Sequence, residues 1–316
     1  MNIMINSYGF FIIGLILLIF GSELIIENSK KIATRFRISK IIIGITLIAF
    51  GTSLPELIVS ILSSYKGAGD IAISNVIGSN IANIGLVLGV ISIIKIFSFK
   101  LDNQMRYNLF FLFISTVILI ILSYPLGFSR LDGSIMIILF LFYLYYLLNN
   151  YSNKEENINQ DGLARFNPVI ILLLLTGFIF IGIGSDLFIK GTINISNHLG
   201  FANNIAISMS IVAFGTSFPE LIASIVAIYK KEEEFAIGNI IGSNIINILV
   251  VASFASIVNP IFINFNLIKN HLFVLFIITL LLIVCISLFK KLNKIMGMVF
   301  LISYFVFIYI TFFKTI

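Results

Sequence analysis

The chain has 316 residues, 59% of them hydrophobic and only 11% charged, with a formal net charge of +6. A soluble domain carries about a quarter charged residues, so this composition excludes a water-soluble globular protein. The bases fall in short loops, not among aromatic residues, which argues against a nucleic-acid surface and for a membrane-orientation signal. The lone Cys285 lies inside an apolar run and leaves no disulfide framework or thiolate metal site to build.

A helix needs about 20 apolar residues to cross about 30 Å of hydrocarbon. Runs that qualify are predicted at 8–27, 41–65, 71–97, 107–124, 133–149, 167–190, 204–229, 235–260, 271–289 and 295–313. The first has no basic leader and no clear small-residue cleavage site, so it is read as a retained span. Interior runs of this length exclude a β-barrel, whose strands alternate over about ten residues. Fifteen of the twenty Lys and Arg residues lie at or after the ends of spans 1, 3, 5, 7 and 9. The positive-inside rule puts those loops in the cytoplasm and both termini outside. The acids Glu232–Glu234 do not alter this, because acids contribute little to the rule.

Internal repetition sets the expected architecture. Phe50-Gly51-Thr52-Ser53-Leu54-Pro55-Glu56-Leu57 recurs as Phe214-Gly215-Thr216-Ser217-Phe218-Pro219-Glu220-Leu221, identical at seven of eight positions. Residues 70–84 recur at 234–248 with ten of fifteen identical, and both copies share an offset of 164. Gly21-Ser22-Glu23-Leu24 is echoed by Gly184-Ser185-Asp186-Leu187. Five spans per repeat is an odd number, so the second half enters the membrane upside down, an arrangement common in secondary transporters. The fold class predicted is therefore an all-α membrane protein of ten helices in two inverted five-helix repeats. The first repeat is 1–149, a polar cytoplasmic linker occupies 150–166, and the second repeat is 167–316.

Glu56 and Glu220 lie well inside apolar runs, at equivalent places. Placing an ionisable group at bilayer depth costs about 2.5–3.5 kcal/mol on insertion scales, and its default meaning is functional. Thr52 and Ser53 precede Glu56 by four and three residues and share its helix face, and Thr216 and Ser217 do the same for Glu220. Pro55 and Pro219 lack an N–H and free the carbonyls of Gly51 and Gly215. In the second motif Ser79 and Asn80 precede Asn83 by four and three residues, and Ser243 and Asn244 precede Asn247. Gly78 and Gly242 would allow close helix approach. Asn80 and Asn244 could instead serve only as glue between helices. Inversion would bring spans 2, 3, 7 and 8 around one axis, giving two carboxylates, amides, hydroxyls and loose carbonyls, with no sulfur or histidine. Such hard oxygen donors suit Na⁺, Ca²⁺ or Mg²⁺ and not zinc or copper. A pliable cage with two negative charges favours Ca²⁺ over Mg²⁺, and the same two charges could neutralise two Na⁺ ions.

The paired Gly-Thr-Ser-x-Pro-Glu and Gly-Ser-Asn-Ile-x-Asn stretches resemble the α-repeats of the cation/calcium exchanger superfamily, and most closely its prokaryotic sodium/calcium exchangers. The resemblance covers nearly the whole chain. It implies an antiporter that exports Ca²⁺ in exchange for Na⁺ by alternating access, in the plasma or inner membrane, with the ions as substrates and no cofactor. It places acidic ligands on Glu56 and Glu220. Hydroxyl and carbonyl ligands would be Thr52, Ser53, Ser79, Thr216, Ser217, Ser243, Ala49 and Ala213, and Asn83 an amide ligand. Asn247 departs from the pattern, since members often carry Asp there, which bears on the number of bound charges and on any proton coupling. Spans 1 and 6 would slide as a gate, eased by Gly14, Gly21, Gly177, Gly182 and Gly184. H⁺-coupled or K⁺-dependent exchange at the same site is the alternative, and a cation channel a more distant one. An intramembrane enzyme finds no support, because no His-Glu-x-x-His helix is present. Glu23 with Asp186, and Asp70 with Glu234, are read as structural pairs. Monomer and dimer both remain open.

Overall fold

The computed structural model describes residues 2–36, 38–99, 101–124, 127–151, 168–198 and 215–313. Its elements run α1 (Asn2–Phe36), α2 (Lys40–Thr52), α3 (Leu54–Tyr65), α4 (Gly69–Ile94), β1 (Phe97–Ser98), α5 (Asn103–Ser123), β2 (Gly127–Phe128), α6 (Arg130–Tyr151), α7 (Val169–His198), α8 (Phe218–Tyr229), α9 (Glu233–Val258), β3 (Ile261–Phe262), α10 (Phe265–Phe289), β4 (Lys291–Leu292) and α11 (Lys294–Phe313). Among the described residues, seven helices are long and apolar enough to cross a bilayer; α2 and α3, bent by 48° at Ser53, together make an eighth, and α8 and α11 are shorter apolar helices. Helices dominate because the bilayer core offers no water to backbone N–H and C=O groups. Most of the linker 150–166, the start of the predicted span 204–229 and Ala213 lie outside the described residues.

α4 and α9 form the centre. Their membrane windows are 78% and 89% buried, against 22% for α6 at the lipid-facing edge. Both are interrupted by a π-helical stretch, Asn83–Leu88 in α4 and Asn247–Val251 in α9. Such wide turns recur at functional sites, and these two begin on the equivalent asparagines of the second motif. Close backbone approach holds α2 on α9. A Cβ built on Gly242 would lie 2.4 Å from the Ile45 carbonyl oxygen, and one on Gly238 would lie 2.7 Å from that of Ile41.

α1 packs along α7 through glycines. A Cβ on Gly14 would meet the Phe188 nitrogen at 2.5 Å and the Gly184 oxygen at 2.8 Å, and one on Gly21 would meet the Gly177 oxygen at 2.9 Å. Gly182 is a correction to the sequence expectation: nothing lies within 4 Å of a Cβ placed there. Residues 177 and 184 are seven apart and share a face, whereas 182 points elsewhere. Gly191, not predicted, does lie at this interface against Phe11.

Two short antiparallel ladders tie distant parts of the chain. Phe97 pairs with Leu292 and Ser98 with Lys291; Gly127 pairs with Phe262 and Phe128 with Ile261. Gly127 has φ +104, and a Cβ there would strike the Ile261 oxygen, so only glycine fits the second ladder.

The basic ends of α1, α2 and α4 converge on the turn between α8 and α9. Glu232 is buried and accepts Lys30 at 2.5 Å and Lys40 at 2.8 Å; Lys95 reaches Glu233 at 2.9 Å, and Lys230 reaches Glu27 at 2.6 Å. Glu23 is only 3.8 Å from Lys230, while Asp186 bonds the exposed Lys190 one turn along its own helix, so this repeat pair does not share a role. Burial pushes the Glu232 carboxyl up, but Lys30 and Lys40 outweigh it and hold it below its ordinary 4.5. A depressed acid stabilises the fold above its unfolded value and loses that contribution as pH falls through the folded one. Glu232→Gln should therefore lower the melting temperature of the purified protein at neutral pH, by the equivalent of about 1 kcal/mol given how exposed the lysines are. The difference should shrink as the pH falls from the ordinary 4.5 through the lowered folded value of Glu232.

Candidate cation site

Glu56 and Glu220 stand in the first turns of α3 and α8, each just after a break at Ser53 or Ser217, with Pro55 or Pro219 occupying the opening turn. Proline is tolerated there because those N–H groups lack helical partners anyway. The positive end of each helix dipole favours a carboxylate at that place. Both glutamates are fully buried, as are Thr52, Ser53, Ser79, Asn83, Thr216, Ser217, Ser243 and Asn247. The structure thus buries every one of these residues, and cross-repeat contacts join Thr52 to Ser243, Ser53 to Glu220 and Ser79 to Thr216.

The contacts cross from one repeat to the other. Ser53 Oγ donates to Glu220 Oε1 at 3.0 Å. Thr52 Oγ1 donates to Asn239 Oδ1 at 3.0 Å and lies 3.4 Å from Ser243 Oγ. Thr216 Oγ1 donates to Asn75 Oδ1 at 3.2 Å and lies 3.4 Å from Ser79 Oγ. Asn75 Nδ2 donates to the Glu56 carbonyl and Ser60 Oγ, and Asn239 Nδ2 to the Glu220 carbonyl and Ser224 Oγ. Each bond in one set becomes its counterpart on shifting both residues by the repeat offset. The exception is Ser53: Ser217 Oγ makes no matching bond.

Several buried polar atoms have no hydrogen-bond partner: both oxygens of Glu56, Oε2 of Glu220, Oγ of Ser217 and all four amide atoms of Asn83 and Asn247. Thr216 and Ser217 stand beside the Glu56 carboxyl, and Thr52 and Ser243 beside that of Glu220. Leaving a carboxylate buried, charged and unpaired costs on the order of several kcal/mol, so each must take up a proton or be met by a cation. Among the described residues no three His, Cys, Asp or Glu side chains cluster. A cation held here would be met by two carboxylates and otherwise by neutral oxygens, a set suited to Na⁺ and Ca²⁺.

Asn80 and Asn244 do not bridge helices. Each donates to a carbonyl one turn back in its own helix, Val76 or Ile240, at 2.7 Å. Sequence reasoning missed Asn75, Asn239, Ser60 and Ser224. The signal was present, since Asn75 and Asn239 are identical within the longer repeat. α7 lies on the site: Phe178 covers Gly51 and Ile189 covers Gly215, each closer than a Cβ would allow.

Relatives carry the same architecture. The chain is 38% identical over 248 residues to the uncharacterized membrane protein MJ0091 of Methanocaldococcus jannaschii, covering 78% of this chain and 80% of that protein. It is 32% identical to the putative antiporter CaxA of Alkalimonas amylolytica, with 79% and 80% covered, and 28% identical to the sodium/calcium exchanger MaX1 of Methanosarcina acetivorans, with 96% and 97% covered. The solved structure of the sodium-calcium exchanger NCX_Mj soaked with 10 mM Na⁺ superposes with a TM-score of 0.83 at 35% identity, over 96% of this chain and 98% of that one. Those whose names state an activity are exchangers or antiporters, transporters and not enzymes. The family model described as sodium/calcium exchanger protein matches residues 6–149 and 169–313, and the chain, a multi-pass membrane protein, belongs to that family.

Proposed function

We propose that this protein exports Ca²⁺ in exchange for Na⁺ by alternating access, with the ions competing for one pocket around Glu56 and Glu220. The observation that carries the reading is the pair of buried carboxylates with three of their four oxygens unbonded. Thr52, Ser53, Ser79, Asn83, Thr216, Ser217, Ser243, Asn247 and the carbonyls of Ala49 and Ala213 complete the ligand set. Two negative charges are balanced by one Ca²⁺ or by two Na⁺, so occupancy by one ion excludes the other. Asn247 supplies amide oxygen without adding a third charge. α1 and α7, packed against one another through their glycines, slide together past the remaining helices, and this motion opens the pocket to one side at a time.

Ten spans in two inverted repeats, 1–149 and 167–316 joined by 150–166, are the topology we infer. The ladders support it by parity. Paired strands share a membrane face, so an even number of crossings separates β1 from β4 and β2 from β3. Both counts come out even when span 204–229 crosses as a whole. The ion pairs of Lys30, Lys40 and Lys95 with the α8–α9 turn obey the same parity. That face carries most of the bases, which makes it cytoplasmic and leaves both termini outside.

Transport in proteoliposomes with Na⁺, K⁺ and H⁺ gradients imposed one at a time tests the coupling. ⁴⁵Ca²⁺ uptake should depend on the opposing Na⁺ gradient. Uptake driven equally by a pH gradient would assign the counter-ion to H⁺, and a requirement for both Na⁺ and K⁺ would add K⁺ as a co-substrate.

A further inference from the structure

We propose that Asn75 and Asn239 are positioning residues that make the Thr216 and Thr52 hydroxyls present lone pairs, not protons, to the transported cation; this rests on the cation-site reading above. The orientation of each amide is fixed by its neighbours. Asn75 faces the Glu56 carbonyl oxygen at 3.3 Å and Ser60 Oγ at 3.0 Å. A backbone carbonyl can only accept, so the amide nitrogen must point that way. The amide oxygen is thereby turned to Thr216, 3.2 Å away, and having no proton it obliges Thr216 to donate. A hydroxyl owns one proton and two lone pairs. With the proton held on Asn75, the Thr216 oxygen turns electron density toward its other surroundings, which is what a cation requires.

The second copy follows the same logic. Asn239 gives its amide protons to the Glu220 carbonyl at 3.4 Å and Ser224 Oγ at 3.3 Å, and accepts from Thr52 at 3.0 Å. Thr52 is also 3.3 Å from the Ala49 carbonyl. The shorter bond to Asn239 draws the proton away from Ala49 and leaves that carbonyl available to an ion. Without these amides each threonine proton could swing to a neighbouring carboxylate and compete with the cation for it. One amide also spans the repeats, since it grips the backbone of a glutamate in its own half and the threonine of the other.

Sodium-driven ⁴⁵Ca²⁺ uptake in proteoliposomes tests this through apparent KM and maximal rate. Asn75→Leu should raise KM for Ca²⁺ about tenfold, the scale of one hydrogen bond in a charged site, with the maximal rate changed far less. Thr216→Val should do the same, and the double variant should be no worse than the poorer single one, because both remove one interaction. Thr216→Ser, which keeps the hydroxyl, should stay close to the parent. Losses that simply multiply, or a fall in maximal rate with KM unmoved, would overturn the proposal. If Asn75→Leu does not fold, Asn75→Ala and the Asn239–Thr52 pair are run through the same cycle and read the same way. Glu56→Gln is measured in parallel. Its transport at the parental rate would sink the site reading itself, whereas an inactive Glu56→Gln alongside independent Asn75 and Thr216 losses would sink only the positioning role.

Discussion

Glu56→Gln or Glu220→Gln should each reduce Na⁺-driven ⁴⁵Ca²⁺ uptake at least a hundredfold, while the protein melts at the parental temperature or above it. Two unit charges 4 Å apart interact by about 4 kcal/mol at an effective dielectric of 20. A divalent ion doubles that figure, so losing one of two carboxylates outweighs any adjustment by the neutral ligands. The stability half of the prediction follows from the same geometry. Neither Glu56 oxygen is bonded, nor is Oε2 of Glu220, and both side chains are fully buried. A neutral amide of nearly the same shape is cheaper to bury there than an unpaired charge. Uptake and melting temperature are thus expected to move apart. Joint loss of both would mean that the carboxylates hold the fold together and that the site lies elsewhere.

Gly14→Leu and Gly21→Leu should lower the transport rate about tenfold or more, with Ca²⁺-dependent thermal stabilisation retained. At Gly14 the atoms in the way are backbone, the Phe188 nitrogen and the Gly184 oxygen, and at Gly21 they include the Gly177 oxygen. Backbone cannot step aside as a side chain can, and overpacking of this kind costs about 1–3 kcal/mol or more. α1 and α7 must part, while the side chains of the pocket stand on α2, α3, α4, α8 and α9 and keep their places. Gly182→Leu on the same α7 is the internal control. Nothing lies within 4 Å of that position, so its rate should match the parent. Equal inhibition by all three substitutions would mean that the glycine contacts have no special part in transport.

Much of the site was readable from the chain because two kinds of signal coincided. Glu56 and Glu220 sit in apolar surroundings that no solvated acid would choose, and each is framed by a repeated motif. Ser79 and Asn83, one turn apart, mark a face of α4 that carries buried polar side chains. Asn75 lies one further turn back on that face and was passed over, because the face was traced only upstream of Asn83 as far as Ser79. Its importance shows in a partner on the other repeat, Thr216, and such pairings are invisible to spacing along one helix. Asn80 and Asn244 could not be judged for the converse reason. An amide that bonds its own helix and one that bonds a neighbour look alike in sequence. Helix ends were misjudged where polarity returns: α1 runs on to Phe36 through Glu27, Lys30 and Lys31, since hydropathy records the membrane boundary and not the end of the helix. The break at Ser53 was implied by Pro55, but its 48° bend depends on packing.

The ladders that join β1 to β4 and β2 to β3 impose an order on biogenesis. When a ribosome has completed the first 149 residues, it has made one partner of each ladder and one member of each Asn–Thr bridge, and none of these can yet close. Five segments, a buried acid among them, must wait in the translocon or the surrounding lipid until β4, near the far end of the chain, emerges. A truncated nascent chain is therefore left with unmet polar groups at bilayer depth, the kind of defect that membrane quality control can detect and remove.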